Sequence, residues 1–446
     1  MNREETLALY EQGVEAWNKW ANEMLEEKKR LEEAGEWKVY KSFIDSMCPC
    51  NEPTKQWLLN ASADFSNEES TNVFYKKVDF SNFIFPADVD FSMAKFINSA
   101  DFNKTTFYNF VNFENCKFMS WVNFDHSIFY EPAYFKKIKC YKSASFEHVE
   151  CHSFFHCDNS TFKKISFFGF SKYNFSTIFD NTVFLDSITF SGSHFSGYLS
   201  FAKAKFNKVA EFNAISSKGT FNLENTFFKN QAPNFIQASF KEAPRLDNIK
   251  IGLDVAPGSF LNSITTFINP EIKASYQALK RLAMQAHDHE SEQRFWAGEL
   301  RSDRSLRTED GGWNFRPLVS AFWWGNIAYS WVSDYGRSIV RPIGALLILI
   351  CLMTGLHLTK SKTPLTYDQA FSAGYIAANK SFLYLGTDPT KRSIIKEKYS
   401  ALYGANENQT PKIPKTILTA EFFQTLFSAI FIFLALLGIR NNFKMK

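Results

Sequence analysis

The sequence predicts a four-sided β-solenoid with an N-terminal helical cap, joined through a long linker helix to two transmembrane α-helices. Three observations predict it. Phenylalanine recurs at a step of eleven over roughly 150 residues. A densely charged amphipathic stretch follows. Two apolar runs of membrane-span length come last.

Composition already bounds the answer. A chain of 446 residues has room for two or three domains. It carries 49 Phe against 17 Tyr and 10 Trp, and so much Phe needs a shared buried destination. A net charge of +4 from nearly equal acids and bases argues against a nucleic-acid partner. Seven irregularly spaced Cys form no disulfide framework. Residues 1–35 are charged throughout and contain no apolar signal segment, so the bulk of the chain is expected in a reducing cytoplasm.

The repeat carries the fold. Phe80, Phe91, Phe102, Phe113, Phe124, Phe135 and Phe146 form one series, and Phe85, Phe96, Phe107, Phe118 and Phe129 a second. Cys140 and Cys151 then stand where the second series expects Phe, and Cys157 where the first does. Both series resume, through Phe168, Phe179, Phe190, Phe201 and Phe212 in one and Phe162, Tyr173, Phe184, Phe195 and Phe206 in the other. Two residues before the first-series Phe from Phe80 to Phe146 stands a small apolar residue (Val78, Val89, Ala100, Val111, Val122, Ala133, Ala144), and the residue between is usually polar (Asp79, Asp90, Asp101, Asn112, Asn123). That in–out–in order is strand periodicity, and the Ser, Asn, Lys and Gly that follow suit corners. Two eleven-residue units per turn make a four-sided coil. About seven coils at ~4.8 Å give a rod about 35 Å long.

The units Ala63-Asp64-Phe65-Ser66, Val78-Asp79-Phe80-Ser81 and Ala100-Asp101-Phe102-Asn103 resemble the Phe-rich, eleven-residue variant of the pentapeptide-repeat family. The resemblance covers roughly residues 61–240 and implies a right-handed quadrilateral β-helix. It implies no activity, because the family's roles are diverse. Members that mimic DNA are acidic, soluble dimers, which the balanced charge and apolar tail here do not match.

An open solenoid end exposes unpaired backbone, so caps are expected. Within the 1–60 cap region, residues 3–34 predict a helix with Leu7, Val14, Trp17, Leu25 and Leu31 on one side, serving as a cap or docking a partner. Residues 241–270 lose the repeat and are expected to close the other end. Residues 271–310 form the linker, in which 271–306 reads as one long helix lined by Tyr276, Leu279, Leu282, Ala283, Ala286, Phe295 and Leu300. It ends in Arg301, Arg304 and Arg307 and serves as a joint or an oligomer seam.

Residues 311–342 form a juxtamembrane aromatic region with Trp313, Phe315, Phe322, Trp323, Trp324, Tyr329, Trp331 and Tyr335. The module 343–446 holds the apolar runs Ile343–Leu358 and Ile417–Ile439, flanked by Arg337, Arg341 and Arg440. Basic outer flanks favour both termini inside a bacterial inner membrane, although Lys360, Lys362, Lys391, Arg392, Lys396, Lys398, Lys412 and Lys415 make the connecting segment basic too. Tyr335-Gly336-Arg337, Arg341-Pro342 and the run Phe433 to Phe443 resemble the two-helix, ion-channel-like module attached to many bacterial pentapeptide-repeat proteins. The potassium-filter sequence Thr-Val-Gly-Tyr-Gly is absent. Phe371–Leu385, with Tyr375, Phe382 and Tyr384, reads as a re-entrant or surface-lying helix.

Glu421, Gln424, Thr425 and Ser428 share one face of the second run, either as a pore or oligomer face or as headgroup-level and packing residues. His148, Cys151, His152, His156 and Cys157 cluster in sequence, but the register sends Cys151 and Cys157 inward and His152 outward, so no metal site is expected. Cys48-Pro49-Cys50 is too closely spaced to assign. No phosphate loop, nucleophile elbow or metalloprotease helix appears, and neither enzyme activity nor a cofactor is expected. The expected function is an oligomeric membrane protein whose cytoplasmic solenoid binds a protein partner or signal and is coupled to a channel-like module, a membrane effector being one version. The alternative is a non-conducting scaffold.

Overall fold

The computed structural model describes residues 1–41, 47–49, 51–65, 73–252, 270–302, 320–361, 366–382, 389–405 and 410–444. The readings made on Cys50, Arg304, Arg307, Trp313, Phe315 and Tyr384 lie outside them. The chain divides into two units, Met1–Ser305 and Leu306–Lys446.

In the first unit, Ala63–Asp64 and the chain from Val73 to Ile251 form two-residue strands wound into coils of four. Strands pair in parallel from coil to coil, giving four sheets of 8, 8, 9 and 7 strands and about eight turns. Phe85, Phe107 and Phe129 lie in one register, 22 residues apart. Inside, like stacks on like: the rings of Phe107 and Phe129 are 4.9 Å apart and within 1° of parallel. Neighbouring columns meet edge to face, as Phe91 and Phe102 do at 5.5 Å and 85°.

Three local devices make this winding. The outward Asp or Asn caps the backbone two residues on: Asp90 Oδ1 accepts from Ser92 N at 2.7 Å, and Asn112 Oδ1 from Glu114 N at 2.9 Å. At a corner, Phe83 N donates to Phe80 O at 3.1 Å while Asn82 between them has φ 62°, the third-position requirement of a type II turn. Asn or Gly takes that place at Asn115, Asn159, Asn181, Gly192, Asn225 and Asn248, but so do Lys104 and His126, held there by hydrogen bonds to the next coil. Finally, a buried hydroxyl after the corner donates to the preceding coil: Thr105 to Phe80 O at 2.8 Å, Ser127 to Phe102 O at 2.7 Å, Ser193 to Phe168 O at 2.7 Å. These bonds satisfy hydroxyls that would otherwise be buried without partners.

The end of the rod at Phe65 is covered by α1 (Arg3–Tyr10) and α2 (Val14–Glu33), with α3 (Glu52–Ala61) packed on α2 through a Trp57 Nε1 bond to Met24 O at 2.7 Å. The single helix expected over 3–34 is broken because Gly13 sits at φ 91°. Trp17 lies on the rings of Phe65, Phe83 and Phe85 and donates to Ile84 O at 2.8 Å. Asn18 bonds Asn82 O and Ile84 N, both at 2.9 Å, supplying the edge strand with the partners an earlier coil would have given.

Two expectations need correction. The repeat does not end at 240: Lys250–Ile251 pairs with Phe227–Phe228, and Leu246, Ile249 and Ile251 are buried. The pairing distance changes from 22 residues (Phe206 with Phe228) to 23 (Glu211 with Asn234), so one extra residue enters before Asn234, and aliphatic side chains replace Phe in the core. Residues 253–269 lie outside the described residues. The linker is also not one helix. It is a hairpin of α4 (Pro270–Gln285) and α5 (His289–Ser302), turned by His287 at φ 55° and restarted by Asp288, whose carboxylate accepts from Ser291 N at 3.0 Å. Gly298 lets the arms close: a Cβ there would fall 2.2 Å from the Tyr276 ring.

The second unit comprises α6 (Ala321–Ser333), α7 (Val340–Thr359), α8 (Tyr367–Ser381), α9 (Pro389–Tyr403) and α10 (Lys415–Lys444). The described part of the aromatic region is helical over Ala321–Ser333, and Tyr335 lies in the turn that follows, at φ 58°. α10 lies along α7, and α8 packs on α7, α9 and α10. On that packed side of α8, Ala373, Ile376 and Ala377 are buried, while Phe371 stays exposed.

Candidate functional site

The polar face of α10 turns into the packing of its own chain. Glu421, Gln424 and Ser428 are buried, and Thr425 is half-buried. Glu421 is met from three helices. Lys380 Nζ of α8 lies 3.2 Å from its Oε2, His357 Nε2 of α7 lies 3.7 Å from its Oε1, and the Tyr399 hydroxyl of α9 donates to Oε1. His357 Nδ1 and the Tyr403 hydroxyl share a hydrogen bond at 2.8 Å. Burial, with the Glu421 charge added, pushes the Tyr399 and Tyr403 hydroxyls well above the usual phenol range, so both remain protonated donors. Gln424 Nε2 donates to Ala377 O at 2.6 Å and Ser381 Oγ at 2.8 Å. Gln424 Oε1 and Ser428 Oγ are buried and find no hydrogen-bond partner among the described residues.

Within one chain these four residues are interhelical, each facing α7, α8 or α9 of the same unit or buried beside them. The helical spacing identified the face, but the partners His357, Lys380, Tyr399 and Tyr403 were missed. A lone His in an apolar run was the one available signal, since the others approach only through tertiary packing.

Beside this cluster opens a cleft of about 430 Å³ lined by Ile376, Asn379, Lys380, Arg392, Ile395, Lys396, Tyr399, Pro411 and Thr425.

The flanking motifs meet at the opposite end of α10. Asn441 Nδ2 donates to Gly336 O at 3.1 Å, and the Tyr335 hydroxyl to Asn326 Oδ1 at 2.7 Å. Gly336 has φ 77° and is approached closely by Leu437 and Asn441. Arg341 reaches Ser330 O at 3.3 Å, Arg337 lies 3.9 Å from Asp334, and Arg440 bonds Asn441 at 3.4 Å.

On the solenoid, Cys151 and Cys157 are core residues. His148 stacks on His126, His152 on Tyr130 and His156 on Tyr134, each in a different outer column. Among the described residues no three potential metal ligands converge.

Two-residue strands, a 22-residue coil and stacked Phe columns are the geometry of a pentapeptide solenoid. Residues 80–128 match the family model described as pentapeptide repeats, 9 copies. No curated protein and no solved structure matches the chain. In the second unit, Val340–Thr359 and Lys415–Phe443 are long and apolar enough to cross a membrane, with only 22 % of each best window buried.

Proposed function

We propose that the chain is a membrane-anchored pentapeptide-repeat protein whose right-handed, quadrilateral solenoid works in the cytoplasm at a bacterial inner membrane, docking a protein partner or signal. The carrying observation is the bare apolar flank of α7 and α10: Leu347, Ile348, Leu352, Phe422, Leu426, Phe433 and Leu436 are all exposed. A core helix of a soluble domain is mostly covered, whereas hydrocarbon solvates such side chains. Trp324 and Trp331, exposed on α6, suit the headgroup level. The solenoid has no enzymatic role in this reading; its regular outer columns present a binding surface. The test is fractionation at alkaline pH: the full chain stays with the membrane pellet, and release into the carbonate supernatant refutes anchoring.

A second reading, an oligomer with a channel-like pore, is favoured by the ionisable set Glu421, Lys380 and His357 between the two apolar helices. Under it, purified protein assembles into a ring and leaks ions from liposomes, and Glu421→Ala changes the leak. The enclosure of Glu421 by three helices of its own chain supports the non-conducting tether, for which vesicles stay tight.

A further inference from the structure

We infer that one side of the solenoid docks on an acidic phospholipid surface; the inference rests on the membrane-anchored reading above. That side is the sheet in which Lys117–Phe118 pairs with Lys139–Cys140. Phe118 and Cys140 are buried in the core, and the lysines before them are exposed. Each outward position recurs every 22 residues at a spacing of ~4.8 Å. One outward column holds Lys117, Lys139 and Lys205. The next holds Met119, Tyr141 and Lys163, and the corner beyond it Lys142, Lys164 and Lys208. Between residues 95 and 209 the one acid in these columns is Asp186, which Lys208 Nζ holds at 2.7 Å. Acids appear at the corner on the sheet's other edge, where Glu114 accepts from Lys137 at 2.9 Å, Asp158 from Asn159 at 2.8 Å and Asp180 from Ser200.

Two features say what fits against this side. The first is like charge in register. Lys117 stands against Lys139, and Lys142 lies one coil from Lys164, so the ammonium groups repel along the ladder. An extended anionic surface relieves that repulsion at several coils at once. The second is apolar surface among the lysines. Trp121 and Ile165, at the corner, and Leu185, in the Tyr141 column, are all exposed, and Lys163 Nζ lies 3.9 Å from the centre of the Tyr141 ring. Trp settles at the headgroup level, and a lysine stem lies along apolar surface while its ammonium reaches phosphate. A nucleic-acid backbone would meet the lysines but offers nothing to Ile165 and Leu185. A headgroup layer serves both, and acidic lipids attract basic segments at the cytoplasmic surface. From Lys117 to Lys205 the side extends four coils, about 19 Å. The other three sides remain for a protein partner.

The test is lysine footprinting of the full chain in nanodiscs of phosphatidylcholine alone and of phosphatidylcholine mixed with phosphatidylglycerol. A water-soluble acylating ester labels exposed lysines, and peptide mass mapping reads the rate at each. With phosphatidylglycerol present, Lys117, Lys139, Lys142, Lys163 and Lys164 are expected to react roughly tenfold more slowly. Lys172 and Lys218, exposed on the opposite side of the coil, keep their rates. The protection fades at about 1 M salt, where the screening length is about 3 Å. Lys139→Gln, Lys142→Gln, Lys163→Gln and Lys164→Gln together abolish it at Lys117, whereas Arg at the same four positions retains it. Unchanged rates at Lys172 and Lys218 exclude misfolding as the cause. Equal rates in the two nanodiscs overturn the inference. So does protection already complete in phosphatidylcholine, which means that the chain itself or a second copy covers this side. Protection by an added DNA duplex and not by phosphatidylglycerol overturns it as well. Release of the chain from membranes by carbonate refutes the anchoring itself, whereas a retained chain with unprotected lysines refutes only the docking.

Discussion

The ring of Phe155 lies 5.1 Å from that of Phe135. In register, Phe155 stands over Ala133 and Cys157 over Phe135, so where the core series loses a benzyl group a ring two residues earlier takes up the space. Volume has moved along the chain while the core stays filled, which is the kind of exchange that cores tolerate.

This exchange predicts strong coupling. Cys157→Phe alone overpacks against Phe155 and costs about 1–3 kcal/mol. Phe155→Ala alone leaves a cavity and costs about 3–5 kcal/mol. Together they rebuild the Ala133–Phe135 pattern and lose much less than the sum, read as urea midpoints of residues 1–305. Simple additivity refutes the compensation.

The thiols buried in the core are inert in the native protein. Burial pushes Cys151 up to about 12 and holds Cys116, Cys140 and Cys157 well above the usual thiol range. Iodoacetamide at pH 8 is expected to leave all four unmodified until denaturant is added, as peptide mass mapping will show. Modification of any one without unfolding contradicts the packed core.

At the capped end, Asn18→Ala removes both partners of the Asn82–Ile84 edge and is expected to cost about 2 kcal/mol. Trp17→Ala uncovers Phe65, Phe83 and Phe85 together and should also drive end-to-end association. Concentration-dependent mass by light scattering tests this; a monodisperse, fully stable Trp17→Ala protein counts against the capping role.

Asp88 gives a pH signature. Burial, aided by Glu131 and opposed by a bond from the Phe110 backbone, raises its carboxyl to about 6. The folded state therefore binds this proton more tightly than the unfolded chain. The neutral form's advantage is complete below the unfolded carboxylate range and is lost as pH rises through about 6. Asp88→Asn should gain about 1–2 kcal/mol at pH 7.5 and nothing at pH 3.5, flattening the profile of unfolding midpoints between them. An equal effect at both pH values refutes the assignment.

In the second unit, Lys380→Met removes the nearest cation from buried Glu421 and should lower the stability of detergent-solubilised protein by about 3 kcal/mol. Adding Glu421→Gln should restore most of it in thermal unfolding. No recovery in the double variant means that the two residues are not partners.

The sequence disclosed the solenoid because its core repeats: a ring recurring every eleven residues has no other common burial place. It did not disclose where winding stops, since Leu246 and Ile251 are ordinary residues once one extra residue has shifted the phase. The Ser and Thr column, from Thr105 to Thr226, was not singled out, because its inward bonds depend on the preceding coil. Glu421 stood out as an acid in an apolar helix. Lys380 and Tyr399 did not, because nothing local marks them, and they reach Glu421 only when α8 and α9 fold back.

The lengthening by one residue before Asn234 also says how such a molecule can change its reach. Removing 22 residues upstream of that point returns each surviving ring to an equivalent neighbour, and the rod shortens by a single ~4.8 Å step. Losing one residue inside a strand instead exchanges inner and outer faces along that strand. Extent in this architecture is quantised: edits succeed in whole windings or at a loop able to absorb the remainder, and the stretch around Pro233 is such a loop.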